Sequence, residues 1–259
     1  MPSQGSDCPI CGGDEWIISI DEKGHETASP CECRERIMTN RRLSFADLPE
    51  KYKNISLTMF NDISIFKLPE STRIMKFALS KIKKYLSEFH VHYESGLGLY
   101  FYSETKGSGK STMAAGIANE LVKKQSMQVR YAESTKILNE LKATYDKDSN
   151  LSASKLFKYL IMTDILVIDD FGTERESGWV NDTFYHIVNE RYVNKRVTIF
   201  TSNNPIEQLK YDQRIISRVN EMTFKIAFPE EDIRRHIAKE RDDQMMRQMR
   251  MEEMLNENN

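Results

Sequence analysis

Two stretches of this chain carry residue types at spacings suited to chemistry. The first is Gly107-Ser-Gly-Lys-Ser-Thr112, preceded by the apolar run from Leu97 to Tyr102 and followed by an alanine-rich run. A buried strand, a glycine-bearing loop and a helix start predict a loop that cradles phosphates. Gly107, Ser108 and Gly109 would turn backbone N–H groups inward, Lys110 would reach the terminal phosphates, Ser111 would offer its hydroxyl to Mg²⁺, and Thr112 would follow in the helix's first turn. A glycine/serine turn that happens to carry Lys-Ser is the bland alternative, and it predicts nothing downstream. Glu104 stands where the usual G-x-x-x-x-G-K-[ST] pattern has its first glycine, and a carboxylate there would weaken nucleotide binding unless it points away.

The second stretch is Asp164-Ile-Leu-Val-Ile-Asp-Asp-Phe-Gly172. Four apolar residues predict a strand buried on both faces, with two carboxylates at its C-terminal end, where open α/β sheets place ligands. With a phosphate loop upstream, Asp169 is expected to hold Mg²⁺ and Asp170 to orient the attacking water. Without one, a turn or helix cap would explain the pair. The strand from Arg196 to Asn203 ends in polar residues at the same edge, so Asn203 is expected to bond the water or the γ-phosphate, or else to cap a short helix. Arg214 and Arg218, four residues apart on one helix face, are either surface arginines or a guanidinium for a neighbouring subunit's nucleotide site.

A third cluster reads as metal-binding. Cys8-Pro-Ile-Cys11-Gly-Gly is a knuckle, and an expected hairpin from Trp16 through a turn at Asp21–Gly24 returns to Cys31-Glu-Cys33. Four cysteines and no others predict a Zn²⁺ site of Cys8, Cys11, Cys31 and Cys33, closed to catalysis and read as a fold staple or docking surface, with unliganded thiols the alternative. His25 near the turn reads as a surface residue, with substitution for one thiolate the alternative.

The chain around these motifs must position them. Its 259 residues have room for one ATPase-sized domain and a small appendage. A net charge of −2 excludes a uniformly basic nucleic-acid coat. No run reaches the roughly 18 apolar residues of a membrane span, so cytoplasmic residence without a membrane partner is expected. A helix over residues 71–89 with Ser71 as N-cap and its apolar positions Ile74, Phe77, Ala78, Ile82, Tyr85, Leu86 and Phe89 expected in the core, a helix from Thr112, a strand over Met127–Ala132, a helix from Ser134, a helix over Trp179–Asn194 and a last strand over Thr223–Phe228 give an alternating order. That order predicts an α/β fold, a mostly parallel sheet flanked by helices. The expected divisions are a zinc-ribbon-like domain over 1–42, a packing segment over 43–70, the ATPase core over 71–235 and a C-terminal helix or tail over 236–259. Lys81, Lys83, Lys84, Lys123, Lys124 and the basic stretch Arg34–Arg42 are nucleic-acid candidates by charge alone, and each also reads as a solvated face.

Taken together, Cys8-Pro-Ile-Cys-Gly-Gly with Cys31-Glu-Cys-Arg34, Leu48-Pro-Glu-Lys-Tyr-Lys53, the phosphate loop, Ile168-Asp-Asp-Phe-Gly172 with Glu174, Asn189-Glu-Arg-Tyr192 and Thr201-Ser-Asn203 resemble the bacterial and phage helicase-loader branch of the AAA+ ATPases, the DnaC/DnaI type with its IstB-like core. The resemblance covers nearly the whole chain. It implies an AAA+ P-loop core without a full lid domain, slow and assembly-dependent ATP hydrolysis, and self-assembly on a hexameric replicative DNA helicase that is delivered onto single-stranded DNA as replication begins. It also implies that Lys110 and Ser111 are the Walker A pair and Asp169 and Asp170 the Walker B pair. Asn203 then matches sensor 1, Arg218 the arginine finger with Arg214 as its understudy, and Arg234 the sensor 2 arginine that helps hold ATP. A transposition helper of the IstB type and a non-catalytic, helicase-binding adaptor are the alternatives.

Overall fold

The N-terminal end of the chain buries little of its apolar surface. In the computed structural model, which describes residues 8–21, 25–145 and 150–257, strands β1 (Trp16–Ile20) and β2 (Glu26–Pro30) pair antiparallel, Trp16 opposite Pro30 and Ile20 opposite Glu26. Most of the turn expected between them lies outside the described residues. The hairpin is exposed on nearly every side chain, including Trp16, Ile18 and Ile20. An isolated two-stranded ribbon is marginal in water, and the buried Cys8, Cys31 and Cys33, with Ile37, form the small cluster that holds it.

Helix α1 (Cys33–Phe45) begins on the last cysteine and runs unbroken toward the main body. It ends at Ala46, whose carbonyl accepts a hydrogen bond from the Tyr131 N–H at 2.8 Å. Asp47 just beyond it pairs with Arg130 and Lys136, each at 2.8 Å. Two 3₁₀ turns, Glu50–Tyr52 and Leu57–Asn61, then lie along a later helix, where the buried Asn119 amide donates to the Tyr52 and Ile55 carbonyls, both at 2.9 Å.

Next come α2 (Pro69–Ser87), α3 (Phe89–Ser95), β3 (Gly98–Tyr102), α4 (Lys110–Gln125), β4 (Val129–Glu133), α5 (Ser134–Tyr145), α6 (Asn150–Met162), β5 (Ile165–Asp169), α7 (Gly178–Val193), β6 (Val197–Ser202), α8 (Gln213–Glu221), β7 (Thr223–Ala227) and α9 (Ile233–Glu257). Strands β3 to β7 form one sheet in the order β4-β5-β6-β3-β7, every pair parallel. Alternation along the strands splits the core into two layers. Leu99, Phe101, Val129, Tyr131, Val167 and Ile199 face the side of α2 and α4, whereas Tyr100, Ala132, Leu166, Ile168 and Phe200 face the side of α5 to α8. Strands β5 and β6 are buried at every position, as strands covered on both faces should be. Among the described residues no helix is long and apolar enough to cross a membrane.

Several expectations need correction. Ser71 does not cap α2: Leu68 occupies the cap with Pro69 at the first helical position, and the Glu231 carboxylate receives the Lys67 and Leu68 N–H groups at 2.7 and 3.3 Å. The helix also stops at Ser87, and Phe89 opens the separate α3. Phe77, expected in the core, is 63% exposed, because the buried face of α2 runs through Met75, Ala78, Ile82 and Tyr85. Helix α6 had no counterpart in the sequence reading. Its C-terminal carbonyls are held by Arg191, a fully buried residue of α7 whose guanidinium donates to the carbonyls of Leu160 (2.8 Å), Ile161 (3.1 Å), Thr163 (2.9 Å), Asp164 (3.4 Å) and Val197 (2.6 Å) and to the Thr198 hydroxyl (2.9 Å).

Candidate nucleotide site and thiolate cluster

Because all five main strands run parallel, the loops after β3, β4, β5 and β6 emerge at one edge of the sheet. There they line a cleft of about 700 Å³ that gathers Lys106 to Thr112, Glu133, Asp169, Asp170, Asn203 and Arg234. The expected loop residues, both aspartates, Asn203 and Arg234 thus share one cleft. Arg214 and Arg218 lie elsewhere, on α8 against α7.

The loop has the backbone its motif calls for. Gly107 and Gly109 sit at φ of 84° and 97°, left-handed conformations that favour glycine, and a Cβ at 107 would meet the Asp232 carboxylate at 2.2 Å. Gly109 is the N-cap of α4, and no side chain caps that helix. Its first N–H groups are therefore available to an anion. Lys110 is buried, and its ammonium donates to the Ser103 carbonyl (3.0 Å), the Thr105 carbonyl (3.1 Å) and the Ser108 hydroxyl (3.3 Å). Burial lowers its pKa, partly opposed by the charges of Glu230, Asp170 and Asp169. The donor set fits a polyphosphate.

Glu104 is exposed and outside the cleft lining. What it gives the loop is its backbone: the N–H groups of Glu104 and Thr105 donate to the two oxygens of Glu230, at 3.0 and 2.7 Å. Burial would raise the Glu230 pKa, but the hydrogen bonds from Thr105 and Glu104 outweigh it and hold the carboxyl below its ordinary value. The segment after β7 thus straps the loop, helped by the Ile233 N–H to the Gly107 carbonyl at 3.1 Å.

Asp169 is buried at the end of β5, and both of its oxygens are engaged. The Tyr131 hydroxyl donates to Oδ2 at 2.6 Å and the Thr201 hydroxyl to Oδ1 at 2.5 Å. Thr201 in turn accepts the Asp170 N–H at 3.0 Å. Asp170 has a φ of 55°. Its pKa is raised by burial of the carboxyl group and by the charges of Asp169 and Glu133. A carboxylate at Asp169 and the Ser111 hydroxyl are oxygen donors of the kind Mg²⁺ takes beside phosphates. Asn203 lines the cleft and does not cap the next 3₁₀ turn, whose N-cap is Pro205.

Sequence reasoning missed Tyr131, Glu133, Glu230 and the apolar wall of Tyr52, Met59, Phe60, Ile63, Ile233 and Ile237. The aromatic residues around Leu48–Phe60 were the available signal for that wall. For Tyr131 and Glu230 the sequence held none.

On α8 the two arginines differ. Arg214 is exposed and paired with Asp212 at 3.0 Å, whereas Arg218 is held by neutral groups: its Nε donates to the Asn189 side-chain oxygen at 3.0 Å and its guanidinium lies 4.6 Å from the Tyr192 ring centre.

The four cysteine sulfurs all lie within 4.8 Å of one another, Cys8 to Cys31 at 3.7 Å and Cys11 to Cys33 at 3.3 Å. Tetrahedral Zn²⁺ with Zn–S near 2.3 Å needs sulfurs about 3.8 Å apart, so the cluster fits the ion. Cys8 has its pKa lowered to about 6 by the backbone N–H groups of Cys11 and Ile10. His25 stands apart, bonded to Asp21 at 3.1 Å. We expect one Zn²⁺ per chain by elemental analysis. Chelation should shift Trp16 emission, since Arg34 stacks on that ring at 4.1 Å, while leaving the melting of the main sheet within about 3 °C; a Trp16 signal indifferent to chelation would count against the metal.

Comparison with known proteins first defines a class. A family described as IstB-like ATP binding protein matches residues 102–217, and the fold is shared with the crystal structure of the DnaC helicase loader, which superposes with a TM-score of 0.56 at 24% identity, over 70% of this chain and 100% of that one. Within the class, the chain resembles the DnaC-type helicase loaders. The Escherichia coli K12 replicative helicase loader DnaC is 30% identical over 144 residues, 55% of this chain and 56% of that protein. The Buchnera aphidicola (Acyrthosiphon pisum) DnaC is 29% identical over 217 residues, 82% of each. The matched region thus spans little more than half the length of the E. coli relative.

Proposed function

We propose that this chain is an ATP-hydrolysing loader that binds a hexameric replicative helicase and delivers it onto single-stranded DNA. The observation that carries the reading is the junction of two sites. A four-thiolate cluster, suited to Zn²⁺ and to docking, is joined by the unbroken helix α1 to an ATPase-type sheet whose cleft collects a phosphate loop and two aspartates. In this reading residues 1–42 dock, 43–70 pack the module onto the core, 71–235 form the ATPase and 236–259 the C-terminal helix.

In the cleft, the N–H groups of residues 107–112 hold the ATP phosphates and Lys110 neutralises the terminal ones. The wall of Tyr52, Phe60 and Ile237 takes the base. Ser111 and Asp169 hold Mg²⁺, which supplies charge stabilisation at the phosphates. Asp170 orients water, with Asn203 beside it, and Arg234 contacts the phosphates from the start of α9. Arg218 serves the site of the next copy. Lys110→Ala should cost about 10²-fold or more in turnover, the scale of removing one preorganised charge-stabilising donor, measured as phosphate release in the presence of helicase and DNA.

The reading is tested by light scattering after gel filtration of the chain mixed with the host's replicative helicase, with and without ATP. A stoichiometric complex that is lost on replacing Cys8 and Cys11 by serine is expected. The match to the IstB-like family favours a second reading, an ATPase that organises DNA for a transposase. No helicase complex in either nucleotide state would leave that reading in its place. Glu104, which would lend some support to the non-catalytic adaptor, has its side chain outside the cleft lining.

A further inference from the structure

We infer that Tyr131 is a positioning residue for the metal-binding carboxylate, fixing Asp169 so that the cleft binds nucleotide and Mg²⁺ together. The inference rests on the ATPase reading of the cleft and extends it to a residue on another strand. Tyr131 lies on β4 with its side chain buried between the sheet and the segment before α2; it does not line the cleft. Its hydroxyl, 2.6 Å from Oδ2 of Asp169, is the sole side chain among the described residues seen to bond that oxygen. Thr201 takes the other oxygen from β6. The carboxylate is therefore gripped from the strand on either side of its own, at both atoms, and cannot rotate without breaking a hydrogen bond. Each oxygen keeps a further lone pair for the ion or its water. Partners that orient a metal ligand in this way typically account for 10- to 100-fold in metal affinity.

Tyr131 is itself held firmly. Its N–H donates to the Ala46 carbonyl at the end of α1, and its ring lies 5.7 Å from that of Tyr52, which lines the cleft. The residue thus touches the end of the helix that starts on Cys33, the wall of the cleft and the carboxylate at its floor.

The test uses the full chain and its Tyr131→Phe variant, which keeps the ring and removes only the hydroxyl. Affinity for ATP is measured by calorimetry in excess Mg²⁺ and again with the metal chelated by EDTA, and the ratio of the two is the metal-dependent gain. In the variant this gain should fall about tenfold or more, while metal-free ATP affinity stays within about twofold. A merely structural role would lower both affinities together. A variant whose gain equals or exceeds that of the unaltered chain overturns the assignment, as does a parallel loss of both. If the unaltered chain gains nothing from Mg²⁺, the nucleotide reading of the cleft fails, and the role of Tyr131 fails with it. Thr201→Val provides a second variant from the opposite side: it should reduce the gain in the same sense, and an unaffected gain there together with one in Tyr131→Phe would overturn the two-sided grip.

Discussion

Chains carrying Arg218→Ala will bind ATP with unchanged affinity yet lose about 10³-fold or more in turnover when assembled, the scale reached by arginine fingers. The residue is absent from its own cleft, so its charge has no route to the phosphates of the same chain. Asn189 and Tyr192, both on α7, aim the guanidinium without neutralising it, whereas Asp212 already occupies Arg214. Mixing decides the matter. Arg218→Ala chains keep an intact cleft and Lys110→Ala chains keep an intact arginine, so the two inactive proteins combined should recover part of the turnover. Undiminished activity in the Arg218 variant would remove the finger assignment, and loss without recovery on mixing would place the arginine's action within one chain.

Replacing Arg191 by methionine should destabilise the fold by about 3–5 kcal/mol, since each buried acceptor left without a donor costs about 1–3 kcal/mol. Five carbonyls and one hydroxyl lose their donor at once, among them three at the C-terminal end of α6, where a positive charge also complements the helix dipole. Burial without a carboxylate within bonding reach pushes the arginine's own pKa down, so its charge depends on those oxygens. Lysine offers one nitrogen in place of a planar fork and should rescue little. For a domain of this size the loss corresponds to a melting temperature lower by about 10 °C; a shift under about 3 °C in both variants would refute the account.

Arg191 marks the limit of what sequence alone discloses. The phosphate loop and the Asp169–Asp170 pair were legible because each motif is contiguous, and its chemistry is written in neighbouring residues. The parallel sheet followed from the alternation of apolar runs with helical periodicity. Arg191 was visible only as a letter in Asn189-Glu-Arg-Tyr192, and its role depends on α6, whose apolar end at Leu160–Met162 runs on toward the apolar strand β5 and hides the boundary. Tyr131 and Glu230 act across 38 and 126 residues of chain, distances at which only the folded strand order brings groups together. Phe77 failed for a different reason. An apolar stripe at helical spacing is wider than the face a helix buries, and the packing of α2 selects Met75 and Ala78 over it.

The anchoring of residue 104 bears on how such chains are found. At that position the backbone has no positive φ, and the side chain is outside the cleft, so nothing there requires glycine. The N–H at 104 does matter, and its acceptor is a carboxylate beyond the last strand of the sheet. A search pattern that insists on the leading glycine of the motif would discard this chain for a constraint its loop does not impose. Across divergent sequences the expected pattern is an acidic residue retained at 230 while the residue at 104 drifts freely, since any residue but proline supplies that N–H.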